Sequence, residues 1–288
     1  MQQKNHAFDP VWLDSMYNNR ALVPDAPAYF ERWGGLSRDA RTHPDCAIDV
    51  RFGKEPGEQL DVFQAPGKTS APVLIFIHGG YWRALDKADH SFVAPAFTTA
   101  GACVVVPNYD LCPATTVPGI VMQMVRAVEW TFRNIAAYGG DPQRISVVGH
   151  SAGGHLAAMM LASLWQKLDP RLPADVVKGA LSISGLYDLE PIMHTPFLKE
   201  ALRLTPEQVL KTSPAWMPAP SHGKLYAVYG GNESAEFKRQ NELIQKVWGK
   251  KVVPVQEGIP GRNHFSVLDA LVEPDNRLYQ LTRQLLGL

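Results

Sequence analysis

Length, composition and charge limit the classes of protein that this sequence can encode. Its 288 residues are enough for one large α/β domain with a well-filled core, and 45% hydrophobic with 19% charged residues is typical of a globular enzyme. The 28 basic residues balance the 28 acidic ones, which argues against a nucleic-acid or membrane-surface partner because either would favour a basic excess. The three cysteines (Cys46, Cys103 and Cys112) are odd in number and match no metal-site spacing, so they predict neither a disulfide framework nor a metal centre.

Two features bear on the location of the protein. Residues 1–6 lack the apolar core of a secretory signal peptide, and the apolar run at 73–77 is far too short to cross a bilayer. We therefore expect a cytoplasmic protein with reduced thiols. We expect its partner to be a small-molecule substrate, and the sequence leaves the oligomeric state open, a homodimer included.

Residues 1–43 are predicted to form a helical extension that is rich in aromatic residues. Asp9 followed by Pro10 marks a helix start, with the carboxylate as the cap and the proline in the first turn. Aromatic residues recur along the segment, among them Tyr29 and Trp33. Such an extension could cover the mouth of an active site, or it could only anchor the N-terminus to the body of the protein.

After residue 43, predicted strands alternate with predicted helices. Strands at 47–52 and 60–64 form a hairpin, and continuous apolar runs then mark strands buried on both faces. The alternation predicts an α/β fold with a mostly parallel sheet, an antiparallel edge and right-handed crossovers. Residues 186–220 are irregular and proline-rich, and we expect a small cap there within a single domain over 1–288. The further predicted strands are 73–77, 103–106, 145–148, 176–184, 225–229 and 252–256, and the predicted helices are 87–100, 120–138, 156–168, 235–248, 265–272 and 276–286.

The stretch around Ser151 joins a predicted strand to a predicted helix through a sharp turn. Its sequence is Gly-His-Ser-Ala-Gly over residues 149–153, directly after an apolar, β-branched run. The two glycines leave room where a side chain would clash with the neighbouring strand and helix. This is the nucleophile-elbow pattern, in which the serine hydroxyl stands above the sheet. The amide of Ala152 then lies at a helix N-terminus, where it can meet developing negative charge.

A serine nucleophile needs a base, and the base needs an acid that orients it. In this architecture the chain order is serine, acid, histidine. His264 lies in the last fifth of the chain, in a loop between a predicted strand and a predicted helix, and is the expected base. Glu233 follows the strand at 225–229 and is the favoured acid. Asp188, after an earlier strand, is the alternative acid, unless it only bonds local amides as a turn residue.

The loop after the strand at 73–77 has the sequence His-Gly-Gly-Tyr-Trp at residues 78–82. Its two glycines let the backbone approach a bound acyl group. The amides of Gly80 and Tyr81, together with that of Ala152, are therefore predicted to form an oxyanion hole. Each such donor contributes a factor of about 10²–10³ in rate.

Together these motifs resemble the α/β-hydrolase fold in its esterase/lipase branch. More narrowly, the chain resembles the kynurenine formamidase (arylformamidase) family, whose oxyanion motif is His-Gly-Gly-Tyr-Trp. A second stretch, Gly-Gly-Asn-Glu-Ser-Ala-Glu-Phe-Lys-Arg-Gln at 230–240, is similar to the family segment that carries the acid. By that match Glu233 stands where the family usually has Asp, and Ala235 where it usually has Pro. The residues at 13–18 also resemble the start of family members.

The resemblance implies an activity, the hydrolysis of an N-formyl arylamine, N-formylkynurenine, to formate and the amine. A formyl group is small, so Tyr81 and Trp82 are predicted to wall a tight acyl pocket. No cofactor is required by this chemistry. The aromatic leaving group would stack on an aromatic side chain, for which the candidates are Trp12, Tyr29, Phe30, Trp33 and Trp216.

Other interpretations remain open at this point. A carboxylesterase for short-chain or aryl esters would use the same serine, histidine and acid. A non-catalytic relative acting as a binding module usually lacks the serine or the histidine, and both are present here. A metal enzyme is disfavoured, and no metal is predicted, because His150 and His155 are five positions apart rather than at the four-residue spacing of a helical metal pair.

Overall fold

The computed structural model describes residues 8–288 of the chain. Residues 1–7, which include the start of the predicted extension and the segment considered for a signal peptide, lie outside the described residues. The described chain has eight strands that belong to one sheet. In chain order, β1 to β8 are Cys46–Arg51, Gln59–Phe63, Ala71–Ile77, Cys103–Pro107, Gly140–His150, Val177–Ile183, Leu225–Gly230 and Val255–Ile259.

The sheet is parallel except at one edge. The strand order is β1-β2-β4-β3-β5-β6-β7-β8, β1 and β4 each run antiparallel to β2, and the remaining neighbours are parallel. This confirms the α/β fold class and the antiparallel edge hairpin. Because parallel strands point the same way, the carboxyl ends of β3, β5, β6, β7 and β8 meet along one edge of the sheet, the edge at which open α/β sheets bind ligands.

Helices cover both faces of the sheet. Three short helices and a 3₁₀ turn at Pro214–Trp216 occupy the segment 186–220. Within residues 8–288, no helix combines the length and the apolar character needed to cross a membrane. In chain order, α1 to α13 are Pro10–Tyr17, Asn19–Leu22, Ala26–Ala40, Ala94–Thr99, Val117–Asn134, Ala152–Ala162, Trp165–Leu168, Glu190–His194, Pro196–Leu202, Pro206–Thr212, Ala235–Val252, Ser266–Val272 and Arg277–Leu286.

The side chains of the central strands alternate between two apolar cores. On β3, Val73, Ile75 and Ile77 belong to the core that also takes α1, α5, α6 and α11. Leu74 and Phe76 belong to the core on the other face, with α3, α4, α12 and α13. All seven residues of β3 are buried. The continuous apolar run in the sequence is therefore explained by burial on both faces.

Residues 87–100 do not form the single helix that the sequence predicted. Two 3₁₀ turns, Lys87–Asp89 and Ser91–Val93, precede α4. His90 lies between the turns, and its ring is fully buried and stacked on that of His78 with the centroids 5.5 Å apart. Packing of this side chain beneath the loop after β3 overrides the local helical propensity.

Other element boundaries follow from capping and from a kink. The carboxylate of Asp9 accepts hydrogen bonds from the amides of Val11 and Trp12 at 2.9 and 3.0 Å, as predicted for the start of α1. At the other end of the chain, α11 continues through Gly249, whose φ is 76°. The last strand consequently starts at Val255, three residues later than the sequence predicted.

Candidate active site

Ser151 lies at the sharp turn between β5 and α6. Its φ of 57° and ψ of −117° place a non-glycine residue in a strained backbone conformation. A Cβ on Gly149 would overlap the carbonyl oxygen of Gly153, and a Cβ on Gly153 would overlap that of Ile77. The two glycines that flank the serine are therefore required, Gly149 because the end of β5 packs on the start of α6 and Gly153 because the start of α6 packs on the end of β3. The geometry is that of the predicted nucleophile elbow, with the serine 2% exposed.

His264 and Glu233 form a buried pair beside this turn. His264 stands in the loop between β8 and α12, and its Nδ1 lies 2.7 Å from Oε2 of Glu233. The side chains are 5% and 0% exposed. The other carboxylate oxygen of Glu233 accepts hydrogen bonds from the amide of Gly230 and the hydroxyl of Ser184, each at 2.5 Å. With Nδ1 donating to the carboxylate, Nε2 of His264 is left with the lone pair that a general base needs.

Asp188, the alternative acid, is engaged elsewhere. Its Oδ1 accepts hydrogen bonds from the indole of Trp216 at 3.3 Å and from the amide of Glu190 at 3.2 Å. Its Oδ2 lies 3.6 Å from the guanidinium of Arg239. Of the two carboxylates that the sequence left open, the structure brings Glu233 to His264 and leaves Asp188 in a turn.

The loop after β3 passes directly beside the serine. A Cβ on Gly79 would lie 3.1 Å from Cβ of Ser151. Gly80 has a φ of 104°, and a Cβ there would overlap the carbonyl oxygen of Ala84. Tyr81 continues the loop in the left-handed region with a φ of 49°. Only glycine fits these two positions without displacing backbone. Gly79 is explained by close approach to the serine turn, and Gly80 by its positive φ and the carbonyl group of Ala84.

Tyr109 holds this loop from behind, and no sequence motif identified it. Its hydroxyl donates to the carbonyl oxygens of His78 and Gly79 at 3.0 and 3.1 Å. Its ring stacks on that of His78 with the centroids 4.3 Å apart. Nε2 of His78 in turn bonds Oδ1 of Asn108 at 3.0 Å. These buried contacts fix the backbone of the loop that carries the predicted oxyanion amides.

A cavity of about 370 Å³ opens over Ser151 and His264. Gly80 and Tyr81 from the loop after β3 line it together with these two residues and Trp33, so the structure brings five of the predicted site residues to one space. The rest of the wall mixes polar and aromatic side chains, and its phenyl and indole rings are those of Phe30, Trp33, Phe197 and Phe265.

The N-terminal segment closes one side of this cavity. Asn18 and Asn19 line it, as does Trp33 of α3. The hydroxyl of Tyr81 donates to the carbonyl oxygen of Tyr17 at 2.7 Å, which ties the end of α1 to the loop after β3. The segment therefore both covers the cavity and anchors itself to the body, and the two interpretations of the sequence hold together.

Four of the predicted substrate-binding candidates, Trp12, Tyr29, Trp82 and Trp216, are not among the residues that line the cavity. Trp82 is fully buried, with its ring edge-to-face with that of His155 at a centroid distance of 5.1 Å. Its φ of 54° continues the left-handed turn, and the large indole is accommodated in the core rather than beside the serine. Tyr29 stacks on the cavity-lining ring of Phe265 with the centroids 6.0 Å apart and does not itself line the cavity. Trp216 is more than half exposed and faces Asp188 instead.

His150 and His155, on either side of the turn, have structural contacts. Nε2 of His150 bonds the carbonyl oxygen of His264 at 2.8 Å, and burial holds its pKa well below the usual value. Nε2 of His155 bonds the carbonyl oxygen of Thr212 at 2.6 Å, and burial lowers its pKa to about 4. Within the described range 8–288, no three histidine, cysteine or acidic side chains are grouped so as to hold a metal ion.

Comparisons with known proteins identify relatives of this chain. The BD-FAE family model matches residues 60–201. The kynurenine formamidase of Salmo salar is 33% identical over 259 residues, which cover 86% of this chain and 84% of that protein. The esterase LipQ of Mycobacterium tuberculosis is 37% identical over 153 residues, 49% of this chain and 35% of that protein.

A solved structure extends the similarity to the fold of nearly the whole chain. A protein from Silicibacter sp. TM1040 superposes with a TM-score of 0.82 at 28% identity, covering 93% of this chain and 97% of that one. Its chain and the formamidase relative are both matched over most of their length. The protein described here is therefore a hydrolase of the α/β-hydrolase superfamily and belongs to the kynurenine formamidase family.

Proposed function

We propose that the protein is an arylformamidase-like serine hydrolase that cleaves a small, formyl-like acyl group from an aromatic amide or ester. The observation that carries this proposal is that His264, paired with Glu233 through Nδ1, lines the same cavity as the strained Ser151. The similarity to the kynurenine formamidase of Salmo salar supports an aryl formamide as the substrate.

In the first half of the proposed reaction, Nε2 of His264 takes the proton of the Ser151 hydroxyl as the oxygen attacks the substrate carbonyl. The tetrahedral oxyanion accepts hydrogen bonds from the amides of Gly80, Tyr81 and Ala152. Because the loop after β3 is held by buried contacts, these donors are positioned before the substrate arrives, and no reorganisation is needed as the charge develops.

In the second half, His264 gives its proton to the leaving amine or alcohol, and an acyl-enzyme forms on Ser151. Glu233 keeps the imidazole in the tautomer whose Nε2 faces the reaction and stabilises the imidazolium. A water molecule, activated by the same histidine, then attacks the acyl group and releases the acid. The chemistry needs no group beyond the side chains and amides of this chain.

A carboxylesterase for short-chain or aryl esters is the second candidate function. The partial match to LipQ favours it, and the same serine, histidine and carboxylate cleave esters, which are easier to hydrolyse than amides. The two candidates differ only in the substrate that the cavity selects.

The test is a comparison of kcat/KM on N-formylkynurenine with that on p-nitrophenyl acetate and butyrate, with Ser151→Ala as the blank. We expect a clear preference for the formamide that Ser151→Ala abolishes. Ester turnover with negligible formamide turnover would establish the carboxylesterase instead. Equal activity on long-chain acyl esters would contradict the tight acyl pocket.

A further inference from the structure

The cavity over Ser151 has an uneven distribution of charge. Two arginines, Arg20 and Arg83, line it, and neither an aspartate nor a glutamate is among its lining residues. Both arginines are exposed, whereas Ser151 and His264 are buried. The positive charges therefore stand at the solvent-facing rim, and the reactive groups lie at the base.

Each arginine is held over an aromatic ring of the cavity wall. The guanidinium carbon of Arg20 lies 5.0 Å from the ring centroid of Phe30, and that of Arg83 lies 5.6 Å from the ring centroid of Phe197. Stacking on a ring orients the planar guanidinium while its in-plane N–H groups stay available for another partner.

Neither arginine has a protein counter-ion. No carboxylate of residues 8–288 lies within 4 Å of the guanidinium of Arg20 or Arg83. By contrast, Arg32 and Arg41, which lie in the same N-terminal segment as Arg20, are paired with Asp269 and Asp61. Of these four arginines, the two that line the cavity are the two without a carboxylate partner among the described residues.

Two further histidines of the cavity wall, His90 and His150, do not alter this charge. Burial lowers the pKa of His90 to about 3 and holds that of His150 well below its usual value, so both rings are neutral at neutral pH. A substrate approaching the serine thus meets two uncompensated positive charges, which attract anions and repel cations.

We propose that Arg20 and Arg83 form an anion subsite that selects substrates whose leaving group carries a carboxylate. Two guanidiniums at the rim can hold such a group by paired, charge-assisted hydrogen bonds while the acyl carbon lies over Ser151. The proposal rests on the hydrolytic function proposed above. It adds that the enzyme distinguishes acidic from neutral aryl substrates, and it names the residues responsible.

The experiment compares substrates that differ only at the carboxylate. One pair is N-formylkynurenine and its carboxamide, and the second is 3- or 4-acetoxybenzoate and the corresponding acetoxybenzamide. Each is assayed with the wild type, Arg20→Gln, Arg83→Gln and the double variant. Arg144→Gln is the matched control, because Arg144 lies near the start of β5, about 20 Å from the carboxyl end of that strand at a rise of about 3.3 Å per residue.

We expect kcat/KM of the wild type to be about tenfold higher for the carboxylate than for the carboxamide, with the difference in KM rather than in kcat. This size is expected because the two charge-assisted contacts are partly exposed to solvent. The double variant should lose this preference and keep its activity on the carboxamide within about twofold. Each single variant should lose part of the preference, 0.5 M salt should weaken it, and Arg144→Gln should retain it.

The anion subsite and the proposed function fail in different ways. If the wild type does not hydrolyse the formamides but still prefers the acetoxybenzoate over the acetoxybenzamide, the arylformamidase proposal is overturned and the anion subsite is supported. Equal kcat/KM for acid and amide in the wild type would overturn the subsite, whichever ester or formamide is cleaved. If kcat/KM of the double variant fell equally for the acid and the amide of a pair, the subsite would also be overturned. Such a loss does not depend on the charge of the substrate and would reflect a general loss of structure.

Discussion

The base and the rim of the active-site cavity are built in different ways. The base consists of loops at the carboxyl ends of parallel strands, namely residues 78–82, 149–153, 230–234 and 260–265, and we call these loops the frame. The rim consists of residues 18–33 with Arg83 and Phe197, which we call the cover. The frame is fixed by glycines and buried hydrogen bonds, as at Gly80 and Glu233. The cover is assembled from side chains of three distant parts of the chain.

Under the proposed function, residues of the frame carry out the chemistry and residues of the cover select the substrate. Frame residues have little freedom, because a single added methyl group would displace backbone at Gly149 or Gly153. Cover residues contact the cavity through aromatic faces and exposed cations, as at Phe197 and Arg83. We therefore expect substitutions in the frame to act on kcat by orders of magnitude and substitutions in the cover to act on KM and on the choice of substrate by small factors.

The largest expected effect in the frame comes from Glu233→Gln. The amide can present an N–H to Nδ1 of His264 and so favour the wrong tautomer, and kcat should fall by about 10³–10⁴ with the fold retained. Steady-state kinetics measure kcat, and circular dichroism checks that the fold is retained.

Asp188→Asn is the matched control, because Asp188 bonds Trp216 and the amide of Glu190 rather than His264. Its activity should stay within about threefold of the wild type, since no contact of this buried carboxylate reaches His264 and each weakened hydrogen bond contributes about 1 kcal/mol to stability. A collapse of kcat in Asp188→Asn with an active Glu233→Gln would show that the acid had been assigned to the wrong residue.

The next largest effect is expected from Gly80→Ala. The new Cβ would overlap the carbonyl oxygen of Ala84 at a φ of 104°, so the loop must shift and an oxyanion donor is displaced. We expect kcat to fall by about 10²–10³. Gly67→Ala provides the comparison, because Gly67 also has a positive φ, of 67°, but has open space around it. That variant should lose only about 1 kcal/mol of stability and no activity, and equal kinetics in the two variants would contradict a catalytic role for this loop.

Two buried histidines outside the frame, His90 and His155, should make the stability of the fold depend on pH. Burial lowers the pKa of His155 to about 4 and that of His90 to about 3, whereas both titrate near 6.5 in the unfolded chain. Below pH 6.5 the unfolded chain therefore binds protons that the folded chain does not. The free energy of unfolding should fall with falling pH, by up to about 1.4 kcal/mol per pH unit for each histidine, until the folded-state pKa is reached.

Urea unfolding between pH 7.5 and pH 4.5 measures this slope. His155→Gln keeps a donor for the carbonyl oxygen of Thr212 and removes the titrating ring. The free energy of unfolding of this variant should change less steeply with pH, by up to about 1.4 kcal/mol per pH unit, which corresponds to one proton. The same slope in the variant and the wild type would mean that His155 is charged in the folded protein.

The smallest effect is expected in the cover, from Phe197→Ala. Phe197 lines the cavity and supports the guanidinium of Arg83, so KM for aromatic substrates should rise about three- to fivefold with kcat unchanged. Phe132→Ala removes an equally half-buried ring of α5 that is packed on the core outside the cavity. It should leave KM unchanged, and an equal rise in KM would assign the effect to general loosening of the structure.

The sequence predicted the frame far better than the cover, for a physical reason. The strained turn at Ser151 and the close approach at Gly80 are steric requirements within a few residues, so they leave a pattern in the sequence. The burial of Trp82 against His155 and the placement of Phe197 beneath Arg83 depend on which distant segments meet, and no local pattern records that. The 3₁₀ turns around His90 escaped prediction for the same reason, since burial of one ring decides the local conformation.

The most direct test of the account is covalent labelling of the proposed nucleophile. The protein is treated with a fluorophosphonate, and intact mass spectrometry with peptide mapping locates the adduct. We predict a single adduct on Ser151, absent in Ser151→Ala and formed at least about 10²-fold more slowly in Glu233→Gln, because the base is then misoriented. Labelling at another residue, or labelling that persists in Ser151→Ala at the wild-type rate, would contradict the proposal that Ser151, His264 and Glu233 act together.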